Sequence, residues 1–183
     1  MLFRSLLARG GEINARHAEI LTGDGCYLLH RAQVICNWKK GIKYRPSTEN
    51  WRFEPRENID ARNDDPEIKL ERAIVRTQTQ PPVNWANQTP TSSGFVGQRA
   101  DKHRNIDLIH RCEDGVYEFI ELKVDSDTPL YAAMEILQYA VLYIFYRENA
   151  QEMKSSSAKQ KPLREATVIH LRVLAPFTQK SVM

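Results

Sequence analysis

The sequence predicts an α/β domain with a mixed central sheet, and three observations support that prediction. Two segments, 64–78 and 128–149, carry helical periodicity and helix-start signals. Between them, two apolar segments flank an Asp-Gly turn, which is typical of an antiparallel hairpin. A strand-like segment, ATVIHLRVLAP (166–176), follows the second helix, so it can return parallel to the sheet.

The first helix, DDPEIKLERAIVRTQ, has Asp65 as its expected N-cap, Pro66 at the first helical position and Glu67 in the first turn. An apolar stripe of helical period follows, formed by Ile68, Leu70, Ala73, Ile74 and Val75. The prolines of QPPVNWANQTPTSSG (80–94) prevent the helix from continuing. This stretch is therefore predicted to be a long polar loop, leading to a short strand at GFVGQ (94–98).

The hairpin strands are NIDLIHRC (105–112) and VYEFIELKV (116–124), joined through Glu113-Asp114-Gly115. The second helix has Asp127 or Thr128 as its expected N-cap and Pro129 in its first turn. Its apolar run 136–146 is too short for a bilayer, so no membrane partner is expected. A basic, serine-rich loop is predicted over 151–162. The last strand should place Thr167, Ile169, Leu171 and Val173 on one face.

The composition suits one ordinary globular domain. The chain has 183 residues, 42% of them hydrophobic, and a formal net charge of +3, which is compatible with a polyanionic partner but does not demand one. Its three widely spaced cysteines include no C-x-x-C pair, so they argue against a disulfide framework and against a zinc site built on cysteine, and they favour a reducing cytoplasm. We expect residues 57–183 to form the domain. Residues 1–56 form an extension that could be a recognition arm, a homodimer contact or a remnant of a longer chain.

Charged residues interrupt the apolar hairpin strands at Asp107, Glu121 and Lys123. Side chains of a strand alternate between its faces, so Glu121 and Lys123 share a face with Phe119. The midpoint between residues 107 and 121 is residue 114, at the turn, so Asp107 should lie opposite Glu121. Two carboxylates and one ammonium group are therefore expected to converge on one patch.

Such a patch has two interpretations. Opposed carboxylates repel, and burial makes their ionisation more costly, whereas a divalent cation removes both penalties. Oxygen ligands favour Mg²⁺ or Mn²⁺, which can activate a water for attack on a phosphodiester. A nearby lysine can stabilise the charge that develops. In the alternative interpretation, E-x-K on a strand is only a solvated ion pair.

Asp107 together with Glu121-Leu122-Lys123, in this order of elements, resembles the PD-(D/E)XK nuclease superfamily, which has the restriction-endonuclease-like fold. The resemblance covers about residues 66 to 175. It implies an αβββαβ core and Mg²⁺-dependent cleavage of DNA. It also implies a glutamate on the first helix, best matched by Glu71 with Glu67 as the alternative, and a metal contact from the Leu122 carbonyl.

The sequence departs from the superfamily pattern at two places. Ile106 rather than proline precedes Asp107, a variation that the superfamily tolerates. RecB-type members carry a Gln and a Tyr one turn apart on the second helix, whereas the residue four after Gln138 is Leu142. Gln138 could still point toward the site, or it could be a core glutamine bonded to backbone groups.

Other residues could touch a nucleic acid. A basic cluster at Arg99, Lys102 and Arg104 leads into Asp107 and could steer a phosphate backbone, or it could be a solvated loop. His103 and His110 flank the motif aspartate and could reach phosphate or be structural. The tryptophans Trp51 and Trp85 could stack on unpaired bases or fill the edges of a small core.

The sequence thus favours a metal-dependent deoxyribonuclease. Two alternatives stay open: a nuclease-fold module that binds nucleic acid or a protein partner without cutting, and an unrelated α/β interaction domain with a surface ion pair. Intact opposed carboxylates favour catalysis, because a domain that only binds has no need of them.

Overall fold

The computed structural model describes residues 48–57, 63–77, 82–91, 105–124, 129–151 and 155–175. Within these ranges the helices are α1 (Pro66–Arg76), α2 (Pro129–Glu148) and α3 (Lys161–Arg164). The strands are β1 (Trp85–Pro90), β2 (Asn105–Glu113), β3 (Val116–Leu122) and β4 (Val168–Leu174). The basic cluster at Arg99, Lys102 and Arg104, together with His103 and the predicted strand 94–98, lies outside the described residues.

The four described strands form one mixed sheet in the order β1-β2-β3-β4. Strands β1 and β2 are antiparallel, as are β2 and β3, whereas β3 and β4 are parallel because the chain returns through α2 and α3. This confirms the predicted α/β class and the mixed sheet. The register is also the expected one, since Leu108 pairs with Ile120, which places Asp107 opposite Glu121.

Local signals set the ends of α1 and the hairpin. The Asp65 Oδ1 accepts hydrogen bonds from the backbone N–H groups of Glu67 and Ile68, as its predicted role as N-cap requires. In the turn of the hairpin, Gly115 has φ of +77°, a conformation that glycine adopts without steric cost.

The sheet is covered on both faces, which produces two apolar clusters. On one face, Phe119 and Ile169 pack with Tyr143 of α2 in the larger core. On the other face, Val75 of α1 packs with Leu108, Ile120 and Leu122 in a smaller cluster. The predicted apolar alternation of β4 is confirmed at Ile169, Leu171 and Val173, which all contribute to the larger core.

Part of the predicted N-terminal extension belongs to the core. Trp51 is fully buried and stacks on Tyr146, with 5.3 Å between ring centroids, and Phe53 packs edge-on against Tyr117. Residues 50–53, which the sequence assigned to the N-terminal extension, are thus built into the domain. Of the two interpretations of Trp51, core filling is confirmed.

The prediction of a polar loop over 80–94 is wrong for residues 85–90, which form β1. The polar residues of β1 are buried because residues 52–56 provide hydrogen-bond partners for them. Asn87 exchanges hydrogen bonds with the backbone of Arg56, and Thr89 donates to the Arg52 carbonyl. Composition could not show these partners, since they lie more than thirty residues away. Partnered amide and hydroxyl groups can be buried at little cost.

The predicted loop over 151–162 is also partly wrong, because it ends in the short helix α3. Gln160 is buried and donates a 2.8 Å hydrogen bond to the Asn50 carbonyl, which joins this region to the segment that precedes α1. In the described part of the chain, no helix is long and apolar enough to cross a bilayer.

Candidate active site

Polar residues of three neighbouring strands line up in one row across the sheet. Trp85 pairs with His110 and Thr89 with Ile106, so the same register places Gln88 opposite Asp107. Asp107 lies in turn opposite Glu121. The row crosses the end of the sheet where β2 begins and β3 finishes, and α1 and α2 approach it from either side.

Short hydrogen bonds hold Asp107, Glu121 and Lys123, which we call the acid-lysine triad. The Asp107 Oδ2 accepts a 2.8 Å bond from the Leu122 backbone N–H, across the hairpin. The Lys123 Nζ donates a 2.8 Å bond to Glu121 Oε1 and lies 3.1 Å from Oε2 of Glu135, on α2. The other oxygen of Glu121 is buried and accepts no hydrogen bond from any described residue.

The first helix contributes two glutamates to this end of the sheet. Glu71 is buried, and both of its carboxylate oxygens accept 2.8 Å hydrogen bonds from Gln88 Nε2. One turn earlier, Glu67 Oε1 accepts a 3.3 Å bond from the backbone N–H of Val124, just beyond β3. Glu71 and Glu67, the two glutamates that the sequence offered for this role, both lie close enough to interact with Asp107, and Glu71 is the more deeply buried of the two.

The backbone at Gln88 is strained. Its φ of +47° lies in the left-handed region, which costs a residue with a Cβ about 1–2 kcal/mol. The Arg52 guanidinium holds this conformation by donating to the carbonyls of Asn87, at 3.2 Å, and Gln88, at 2.7 Å. Strain of this kind is retained where the surroundings determine the backbone, and it is frequent at functional sites.

Burial makes the charged forms of these carboxyl groups unfavourable. Desolvation, followed by the charge of Asp107, raises the pKa of Glu71 to about 8, although the Gln88 hydrogen bond opposes the rise. Burial raises the pKa of Asp107 to about 6 against the opposing effects of the Leu122 N–H and Lys123. Burial and the facing Asp107 also raise the pKa of Glu121.

At Lys123, unlike at the carboxyl groups, the surroundings favour the charged form. Burial by itself would lower its pKa, but the ion pairs with Glu121 and Glu135 outweigh desolvation and hold the pKa above its ordinary value. The amine is therefore a persistent cation at neutral pH. Tyr139, one turn after Glu135 on α2, has a raised pKa because it is buried and faces the same carboxylates.

An excess of acidic side chains over cationic ones defines this carboxylate cluster. One ammonium group, that of Lys123, stands among five acidic side chains that act on one another electrostatically, namely Glu67, Glu71, Asp107, Glu121 and Glu135. A divalent cation would relieve both the repulsion and the burial of the unpartnered Glu121 oxygen. An all-oxygen donor set suits Mg²⁺ or Mn²⁺. The donors therefore fit such an ion in chemistry, although no three of these five carboxylates have ligand atoms within 4.8 Å of one another.

The other residues singled out from the sequence lie at different distances from the cluster and have different exposure. Leu122 is buried, and its N–H holds Asp107, while the metal contact of its carbonyl stays a prediction. Gln138 is exposed on α2, so the interpretation as a buried core glutamine is wrong, and its approach to the site stays a prediction. His110 lies on the opposite face of β2 from Asp107, three residues away along the strand.

Sequence reasoning missed Gln88, Glu135 and Tyr139. Gln88 was hidden because its strand was taken for a loop. Glu135 and Tyr139 carried a readable signal, because they are a charged and a polar residue four apart in a largely apolar helix. That spacing directs both side chains to one face.

Comparison with known proteins finds no family model that matches the chain, no similar curated protein and no similar solved structure.

Proposed function

We propose that this protein is a Mg²⁺-dependent nuclease that hydrolyses phosphodiester bonds of DNA. The observation that carries the proposal is the buried carboxylate cluster, in which Asp107 and Glu121 face each other and one oxygen of Glu121 has no partner among the described residues. Buried carboxyl groups with strongly raised pKa values are concentrated at functional sites.

The order of elements adds support. Helix α1, strands β1 to β3, helix α2 and strand β4 follow the αβββαβ order of the restriction-endonuclease-like core, with α3 as an addition. Asp107 lies in β2 and Glu121 in β3, and Lys123 is the first residue after the end of β3, as in the motif that the sequence resembles. Fold likeness by itself does not define an activity, so the proposal rests on the cluster.

Asp107, Glu121 and Glu71 would hold the ion. When bound, Mg²⁺ would supply a Lewis acid that attracts a phosphate oxygen and makes water a better nucleophile. The Leu122 N–H fixes Asp107, and Gln88 fixes Glu71, so both carboxylates are oriented before any ligand arrives. Such prior orientation keeps the cost of reorganising the site low.

Lys123 has a separate task. Its ammonium group lies among the carboxylates and retains its proton, so it can stabilise the negative charge that develops on a reacting phosphate. Charge placed where it acts in the transition state raises the rate of the chemical step. A contact that acts equally on bound substrate would affect only binding.

The test compares Lys123→Ala with wild type on plasmid, linear duplex and single-stranded DNA, with and without Mg²⁺. We expect the cleavage rate to fall by roughly 10² to 10³, while DNA binding without Mg²⁺ changes little, since one lost phosphate contact has a small effect. Lys161→Ala is the matched control, because Lys161 is an exposed lysine of α3. Circular dichroism of each variant checks that the fold is retained.

Two results would decide against the proposal. Cleavage by Lys123→Ala at the wild-type rate would remove Lys123 from the chemistry. Binding without cleavage by wild type on every DNA form, in Mg²⁺ and in Mn²⁺, would make the domain a nucleic-acid-binding module.

A further inference from the structure

A second group of donor side chains lies on the other face of the hairpin. His110 and Cys112 are two residues apart on β2, and Glu118 pairs with His110 from β3. Their ligand atoms all lie within 4.8 Å of one another. Asp107 and Glu121 are each three residues away along their strands, so they project from the opposite face. This His-Cys-Glu cluster is thus separate from the carboxylate cluster.

The distances within the cluster match the edges of a metal tetrahedron. The His110 Nδ1 lies 3.1 Å from Glu118 Oε2, and the Cys112 Sγ lies 3.7 Å from the same nitrogen. Zinc bonds of about 2.0–2.1 Å to nitrogen or oxygen and about 2.3 Å to sulfur give tetrahedral edges of roughly 3.4 Å and 3.6 Å. An ion could therefore enter with small movements of the side chains.

Neighbouring groups hold two of the donors in place. The His110 ring stacks on Trp85, with 4.3 Å between centroids and 25° between planes, which fixes the plane of the imidazole. The Arg172 Nε donates a 3.0 Å bond to Glu118 Oε1, which leaves Oε2 directed to His110. Outer contacts of this kind orient metal ligands and strengthen binding.

The cluster is open to solvent on one side. Cys112 is exposed, while the side chains of His110 and Glu118 are 29% and 19% exposed, so an ion can reach all three. On β4, His170 pairs with Glu118 and therefore shares its face, and its Nδ1 is buried with no partner among the described residues. The surroundings are thus polar enough for an ion that keeps water as its fourth ligand.

We propose that His110, Cys112 and Glu118 bind a zinc ion, with water at the fourth position. The donor set of imidazole, thiolate and carboxylate suits zinc, whereas Mg²⁺ prefers oxygen donors alone. Binding deprotonates the Cys112 thiol, and the proton leaves to solvent. The ion links β2 to β3 on the face opposite Asp107 and Glu121, and the zinc proposal does not depend on the nuclease proposal.

The experiment uses Co²⁺ as a spectroscopic substitute for zinc, added to the full chain after chelation and dialysis. A thiolate ligand gives a sulfur-to-cobalt charge-transfer band in the near ultraviolet, which carboxylate ligands cannot produce. We expect one Co²⁺ per chain with this band, and its loss when one equivalent of Zn²⁺ is added. The variants are Cys112→Ser and His110→Ala, and the controls are Cys36→Ser and Asp107→Asn.

We expect the band to vanish in Cys112→Ser and to persist in both controls. The dissociation constant for Zn²⁺ should rise by more than about 100-fold in Cys112→Ser and in His110→Ala, because losing even an outer-shell partner costs 10- to 100-fold. Absence of the band in wild type, or an equal band in Cys112→Ser, would overturn the proposal. Since Cys112 is exposed, the serine variant should fold normally.

Discussion

Replacement of Glu71 by glutamine tests whether the buried carboxyl group is as unfavourable when ionised as the structure indicates. Glutamine has nearly the shape of a protonated glutamate and cannot ionise. Burial, chiefly, raises the pKa of Glu71 from 4.5 to about 8 in the folded protein. The folded state therefore binds a proton that the unfolded chain releases above pH 4.5, so the contribution of Glu71 to stability is present at low pH and is lost as pH rises to about 8.

The size of the effect follows from that difference in pKa. At 1.36 kcal/mol per pKa unit, the wild type should lose roughly 3 kcal/mol relative to Glu71→Gln between pH 4.5 and pH 7, and about 5 kcal/mol by pH 8 and above. Gln88 donates to both oxygens of Glu71 whereas the glutamine can accept only one such bond, and this loss shifts the difference between the two proteins by the same amount at every pH. Titrating groups that do not interact with Glu71 cancel, since both proteins contain them, whereas the nearby Asp107 and Glu67 contribute to the difference through their charges.

The assay is urea unfolding of both proteins at pH 5, 7 and 9 with a chelator present. We expect the free energy of unfolding of Glu71→Gln, minus that of wild type, to increase with pH by these amounts. A difference that stays constant within about 1 kcal/mol across this range would refute the argument, because it would mean that the pKa of Glu71 is nearly the same in the folded and unfolded states. Adding Mg²⁺ should reduce the difference at pH 9 if Glu71 is a metal ligand.

Three further changes have outcomes that the structure fixes. Asp107→Asn should abolish cleavage and weaken Mn²⁺ binding while the fold is kept, because the asparagine oxygen can still accept from Leu122 and a repulsive charge is gone; equal Mn²⁺ affinity by calorimetry would contradict the metal site. Gly115→Ala should destabilise the domain by about 1–3 kcal/mol in urea unfolding, because φ is +77° and the new Cβ would lie 2.9 Å from Thr167 Oγ1; the neighbouring Asp114→Ala is the control, and an equal effect would contradict the argument. Trp51→Ala should lower the free energy of unfolding by about 3–5 kcal/mol, because Trp51 is a fully buried aromatic residue, whereas Leu130→Ala, at an exposed position, should lower it little. Similar urea midpoints for the two variants would place Trp51 outside the core.

Local chemistry determined a large part of this fold. The cap at Asp65, the Pro129 start of α2, the Asp-Gly turn and the period of each apolar stripe involve residues close together in the chain, so the sequence alone predicts α1, α2 and the hairpin. The register of the hairpin is also a local property, because a short turn sets it. For this reason the opposition of Asp107 and Glu121 could be worked out from their numbers.

Tertiary structure decided what depends on distant partners. Strand β1 is polar in sequence and is stable as a strand because Arg52 and Arg56 bond its amide, hydroxyl and carbonyl groups from more than thirty residues away. Gln88, with its strained backbone, becomes part of the carboxylate cluster only through that strand. Glu135 joins from α2 because the helix crosses the sheet end beside Lys123. Hydrogen bonds between segments so far apart leave no pattern in the local sequence, and this is the physical reason that the triad could be predicted while β1 and Gln88 could not.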